Sequence, residues 1–185
     1  MPQTVVAELI ELLQLERIEE NLFRGQSRDI GTKYVFGGQV LGQALSAAQR
    51  TVDPSRHVHS LHAYFLRAGD IEAPIVYDVD RARDGKSFST RRVVAIQHGQ
   101  TILNCSASFQ HDEPGAEHQL SMPEVPAPDG LPDWEVERAR LLGDPSARRL
   151  DTPIEVRLCD GPLLDSEEKR PAAQRAIQAS ASAAS

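Results

Sequence analysis

Gly37-Gly38, followed by the proline-free run Gln39 to Arg50, places two unhindered backbone N–H groups at the positive end of a helix dipole. Donors so arranged suit a carbonyl that gains negative charge during acyl transfer, or a phosphate. The same glycines serve equally well as a tight turn into a buried helix, and both uses stay open. Gln39 could orient a water molecule, but an amide is no general base and no carboxylate stands beside it, so polarity at a surface or interface is its plainer role. His57, His59 and His62 share one extended stretch whose alternation sets the first two opposite the third; they make a poor joint metal site and read as sheet histidines. The candidate catalytic residues are Gly38, Gln39 and His62, and the candidate substrate contacts are Gly37, Gly38 and Tyr64. Ser87 and Ser89 lie near Asp84 but lack the Gly-x-Ser-x-Gly elbow of a serine hydrolase, and Cys105 falls on an apolar face and reads as core. Arg67, Arg91 and Arg92 offer charge for phosphates, with no spacing that singles one out. No metal and no cofactor is expected.

The element that must position the glycines is one helix over Val35 to Arg50. Val40, Leu41, Ala44, Leu45, Ala47 and Ala48 leave it only a narrow polar face, so it should be buried, and Gly42 within it predicts a close neighbour, supplied by a sheet wrapped around the helix. Upstream, Thr4 can cap a first helix with Val5, Val6, Leu9, Leu12 and Leu13 on one side, followed by an acidic turn over Glu16 to Glu20 and a short strand, Asn21 to Arg24. Downstream, His57 to Arg67, Pro74 to Val79 and beyond, Ser87 to Gln97 and Thr101 to His111 alternate as four strands. Asp84-Gly85 and His98-Gly99 mark the last two hairpins, and the pattern reads as an antiparallel meander whose apolar face, Leu61, Ala63, Phe65, Leu103, Cys105, Ala107 and Phe109, closes over the glycine-rich helix.

From Asp112 the chain turns proline-rich. The expected organisation is a domain over 1–111, a linker with a short amphipathic helix (Trp134 to Leu142) over 112–152, a strand in 153–170 (Pro153 to Leu158) without a following partner, and a disordered Ala/Ser-rich tail over 171–185. With 185 residues and a formal net charge of −7, acids and bases interspersed, the chain suits one well-cored domain and disfavours a nucleic-acid partner. Two singleton cysteines fit a reducing compartment, and no apolar run approaches a membrane span, so a soluble, cytoplasmic protein without a membrane partner is expected.

Leu15 to Ser27 (LERIEENLFRGQS), Val35 to Ala44 (VFGGQVLGQA), His59 to Arg67 (HSLHAYFLR), Arg83 to Phe88 (RDGKSF) and Ala127 to Pro132 (APDGLP) occur in this order and closely resemble acyl-CoA thioesterase II, the TesB-type family. The resemblance spans about Leu9 to Pro162 and implies an α+β hotdog fold, an antiparallel sheet wrapped around a central helix, as the first half of a double hotdog. It implies hydrolysis of fatty acyl-CoA to free acid and CoA, with acyl-CoA as the small-molecule partner and self-association through hotdog sheets. It also implies that the family's catalytic aspartate, threonine or serine, and glutamine belong to a second hotdog of which only the first strand is present, as in a truncated or frame-shifted product. Little or no hydrolysis is then expected of this chain alone, and the alternative is a non-catalytic hotdog module that binds acyl chains or acts as an assembly scaffold.

Overall fold

A computed structural model describes residues 2–143, 154–159 and 177–181. The chain divides into two compact units, residues 8–116 and a second comprising 1–7 with 117–185.

The first unit is built on a six-stranded antiparallel sheet in the order β1-β2-β4-β5-β6-β3: β1 Glu16–Glu19, β2 Leu22–Gly25, β3 His57–Phe65, β4 Ile75–Asp84, β5 Phe88–Gln97 and β6 Gln100–Gln110. α2, Gly37–Gln49, accompanies these strands, and α1, Pro2–Leu12, is divided between the units, with residues 8–12 in the first. α2 buries Val40, Ala44, Ala47 and Ala48 against Phe23, Ile75, Tyr77, Val79, Val93, Ala95, Leu103, Cys105, Ala107 and Phe109. Alanines suit this position because a concave sheet leaves little room beside a helix backbone, and period-two alternation turns every second strand residue toward it. The predicted apolar face is thus the core, except at its end: Phe65 is 57% exposed.

Several expectations change. The meander is three strands, β4-β5-β6; β3 crosses to the far side and pairs with β6, forming one edge of the sheet. Alternation identifies a strand but says nothing about its neighbour. Glu16–Glu19 is strand β1, not a turn, because Glu16 pairs opposite Arg24 and the two side chains form an ion pair, so a strand forms although all four of its residues are exposed. Thr4 lies inside α1, which already runs from Pro2, a residue well suited to a first turn. The close neighbour of Gly42 is the Leu13 side chain, 3.1 Å from where a β-carbon would stand, and not the sheet. The hairpin at His98-Gly99 has φ of 48° and 71°, the left-handed pair that matches strand twist.

In the second unit, α3 (Trp134–Leu141) is capped by Asp133, whose Oδ1 accepts from the Glu135 N–H at 2.8 Å. No residue of α3 is buried, so it is not the amphipathic helix expected; the pairs Arg138–Glu135 and Arg140–Glu137, each at 3.0 Å, support it instead. β7 (Ile154–Leu158) does have a partner: it pairs antiparallel with β8, Ile177–Ala181. That segment was expected to be disordered for want of apolar side chains. A two-stranded ladder satisfies its backbone without them, a possibility that composition ignores. The rest of the expected tail, residues 144–152 of the expected linker, and residues 153 and 160–170 of the expected strand segment lie outside the described residues.

Candidate functional site

The N-terminus of α2 is approached through Val35, whose N–H donates to Gly69 O at 3.0 Å, and Phe36, which takes the capping position with extended backbone but makes no side-chain cap. The Phe36 carbonyl accepts from Gln39 N and Val40 N at 3.0 and 3.3 Å. Among the described residues no acceptor is bonded to the N–H of Gly37 or Gly38, the first two donors of the helix. Gly37, though not Gly38, lines a cleft of about 370 Å³. Val35, Val40, Phe65 and Ile102 give it apolar walls, and the loop Leu66–Gly69 closes one side. Phe65 lies over Gly37: a β-carbon there would come 3.0 Å from the ring, so the glycine is what lets the aromatic approach the helix start. The Phe36 ring takes the same place over Gly38, at 2.4 Å from an added β-carbon. Both rings are more than half exposed, at 56% and 57%. A free donor at the positive end of a helix, on Gly37, beside a trough with apolar side chains in its walls, can hold a carbonyl oxygen while an aliphatic chain lies along the trough.

The residues singled out from sequence do not all meet here. Gln39 is neither at the surface nor free to hold water: it is 6% exposed, its Nε2 donates to Gln26 O at 3.1 Å and its Oε1 accepts from Arg28 N at 3.3 Å. A buried amide must satisfy both ends, and this one does so on the segment after β2. His62 and Tyr64 lie on the outer face of β3, their rings edge to face with centroids 4.6 Å apart, away from the cleft. The bulge between Val58 and Ser60 breaks the alternation assumed for the histidines: His59 meets Ser108 Oγ at 2.8 Å and the edge of Phe88. It therefore stands with outward-facing groups of β6. Arg67 reaches the cleft, although its Nη1 already donates to Thr101 O at 2.7 Å.

Arg91 is 1% exposed and cannot meet a phosphate; it donates to Thr51 Oγ1 and O, Arg83 O, Thr90 O and Asp84 Oδ1 at 2.7–3.0 Å. Arg92 is exposed on the outer face. Ser89 donates to Asp84 Oδ1 at 2.6 Å and accepts from Arg56, so its hydroxyl faces a carboxylate and a cation and no imidazole. Burial opposes ionisation of Asp84, but the hydrogen bonds from Ser89 and Arg91 and the charges of Arg91 and Arg56 outweigh it and hold the carboxyl below the usual range. Burial pushes the Cys105 thiol up to about 11, which suits core packing and not nucleophilic attack.

Sequence reasoning passed over Gln43, which is fully buried. Its Nε2 donates to Leu12 O and Gln26 O at 2.7 and 3.0 Å, and its Oε1 accepts from Tyr77 Oη at 2.7 Å. A signal existed: Gln43 follows Gln39 by four residues on an otherwise apolar stretch, and a polar pair on a buried helix face must find partners. Phe65, in the cleft wall, and Phe36, over Gly38, carried no such signal.

Residues 25–110 match the family described as "Acyl-CoA thioesterase N-terminal domain". The chain is similar to "Acyl-CoA thioesterase 2" of Haemophilus influenzae, 47% identical over 158 residues that make up 83% of this chain and 55% of that protein. It is also similar to "Acyl-coenzyme A thioesterase 8" of Homo sapiens, 49% identical over 139 residues, 75% of this chain and 44% of the relative. Among solved structures, an "Acyl-CoA thioesterase II TesB2" from Mycobacterium marinum superposes with a TM-score of 0.65 at 43% identity, covering 82% of this chain and 50% of the other. A protein from Alicyclobacillus acidocaldarius, 22% identical and described as having a "Hot dog Fold", gives a TM-score of 0.65 over 82% of this chain and 55% of its own, a likeness of fold alone. The chain spans about half the length of the curated relatives it matches. Its sheet wrapped on α2 is a hotdog, and residues 25–110 carry the acyl-CoA thioesterase N-terminal domain.

Proposed function

We propose that this chain works in hydrolysis of fatty acyl-CoA to free acid and CoA, and that its own contribution is to bind and orient the acyl thioester. One observation carries the reading: Gly37, whose N–H is uncommitted, lines a cleft that has Val40, Phe65 and Ile102 in its walls, and the equally uncommitted Gly38 follows it on the helix. A thioester carbonyl accepting from these donors would have its oxygen stabilised as negative charge develops, with the acyl chain against Val40, Phe65 and Ile102. The residues lining the cleft include no carboxylate, imidazole or hydroxyl that could act as base or nucleophile. The hydrolytic groups are therefore assigned to a second hotdog, in keeping with the family's aspartate, threonine or serine, and glutamine.

Association follows from β3. It has a neighbour on one side, β6, and its nine residues contain no lysine or proline to discourage pairing, so self-association through this edge is part of the proposal. Among the described residues no helix is long and apolar enough to cross a membrane, and a cytoplasmic role in lipid metabolism is the working assumption. The second reading, a hotdog module that binds acyl chains or scaffolds an assembly without catalysis, is favoured by the same absence of a base in the cleft.

The experiment is release of CoA thiol from medium- and long-chain acyl-CoA, measured on this chain and on a protein extended by a second TesB-type hotdog domain. Turnover near background for the chain and restored in the extended protein is expected. Equal turnover would make residues read here as structural, Gln39 and His62 first, catalytic, and alanine substitution of each would identify which. No turnover in either would leave the non-catalytic module. Light scattering at micromolar concentration tests the association, and a monodisperse monomer would sink it.

A further inference from the structure

One wall of the cleft is a loop with no secondary structure of its own, the crossover from β3 to β4, and a buried side chain at the far end of β5 holds it in place. Gln97 is 4% exposed. Its Nε2 donates to Asp70 O at 2.9 Å and Ala73 O at 2.8 Å, and its Oε1 accepts from Asp70 N at 2.9 Å. Ser27 Oγ also donates to Ala73 O, at 2.8 Å, tying the loop to the segment after β2. The consequence is felt one residue earlier, at Gly69. Its carbonyl accepts from Val35 N, and a β-carbon on it would stand 3.2 Å from Val35 Cβ and 3.3 Å from Gln97 Oε1. Gly69 is thus pressed between the glutamine that anchors the loop and the residue that leads into Gly37. Both Val35 and Gly69 line the cleft.

We infer that Gln97 is a positioning residue for the cleft: by holding the crossover loop it keeps Gly69 against Val35, and so fixes the width of the trough and the placement of the α2 N-terminus beside it. The inference deepens the acyl-binding reading and rests on it for the identity of the ligand, but not for the geometry. Gln97 does not touch the cleft, so its effect passes entirely through Asp70 and Gly69. Ser27 at Ala73 and His98 at Asp70 Oδ2 (2.9 Å) also hold the loop, but Gln97 takes both backbone groups of Asp70, and in a short loop with few internal contacts local opening follows when such bonds are lost.

Two variants test it, Gln97→Met, which keeps the volume and removes the amide, and Gly69→Ala, which keeps the amide and wedges the loop from Val35. Amide hydrogen exchange on the full chain is read first. Faster exchange at Val35 and Asp70, by about tenfold or more, with Phe23 and Val93 unchanged, is expected in both variants. Titration calorimetry with dodecanoyl-CoA and with free CoA is read second: each variant should lose about tenfold in affinity for dodecanoyl-CoA relative to CoA, and the double variant should lose no more than the worse single one, because both act on one contact. Unchanged exchange at Val35 in both variants overturns the inference, as does acceleration that extends equally to Phe23 and Val93, since that would make Gln97 ordinary core support. If the parent chain binds dodecanoyl-CoA no better than CoA while exchange responds as expected, the acyl-CoA reading fails and the positioning role stands.

Discussion

The two ends of α2 solve the problem of a helix terminus in opposite ways. At the N-terminus, the donors of Gly37 and Gly38 meet no acceptor among the described residues, the cap is a phenylalanine, and aromatic rings stand exposed around an open cleft. At the C-terminus, the Thr51 carbonyl and hydroxyl take two hydrogen bonds from the buried Arg91, which also binds Asp84, while Arg56 joins Ser89, the Gly85 carbonyl and His111. A cation at a helix C-terminus complements the dipole, and this one is also satisfied on every side. The closed end invests its polar groups in stability, whereas the open end leaves them available to a ligand. A substitution should therefore register in denaturation at one end and in ligand binding at the other.

The sharpest test of that division is Arg91→Leu. It leaves the buried hydroxyl and carbonyl of Thr51 without their donor, and the expected loss is about 3 kcal/mol in urea denaturation. A loss under a third of that would mean the closed end is not where stability resides. Next comes a pair of glycines with similar steric numbers and different consequences. At Gly25 an added β-carbon would lie 2.5 Å from Gln43 Oε1, an amide held on both sides in the core, and Gly25→Ala should cost about 2 kcal/mol. At Gly38 the 2.4 Å neighbour is the half-exposed ring of Phe36, which can swing aside, so Gly38→Ala should change stability by no more than about 0.5 kcal/mol while weakening acyl-CoA binding. Equal destabilisation by the two would break the comparison.

A smaller effect is expected from pH. Asp84 titrates below the ordinary aspartate range in the folded chain, so its ionised form stabilises the fold above the unfolded pKa, and that contribution disappears as pH falls through the folded one. Because the carboxylate is 55% exposed, the effect is modest. Asp84→Asn should flatten the acid limb of the midpoint-versus-pH curve, and an unaltered acid limb would show that Asp84 is not the group responsible. The smallest effect concerns Cys105. With its thiol at about 11 and 4% exposure, it should resist a disulfide exchange reagent at pH 8 until the chain is unfolded, and prompt modification in the native state would contradict its place in the core.

Much of this was legible in the residues themselves. Period-two alternation and Asp-Gly and His-Gly turns are local properties, so β3 to β6 and their inward faces could be read directly, as could the burial of a helix with alanine at nearly every third or fourth position. The neighbours of each strand could not. Edge β3 pairs with β6 because the crossover carries the chain over the sheet, and nothing within His57–Phe65 encodes that choice. The bulge at His59 depends on its partner strand in the same way. The glycine pair announced the helix start, and α2 does begin at Gly37. Whether its donors would be free, which aromatics would stand over them, and that Gln39 would be spent on Gln26 and Arg28 were decided only by packing. A side chain's hydrogen-bond partners are set by groups distant in sequence that burial brings within reach, and burial is a property of the assembled fold.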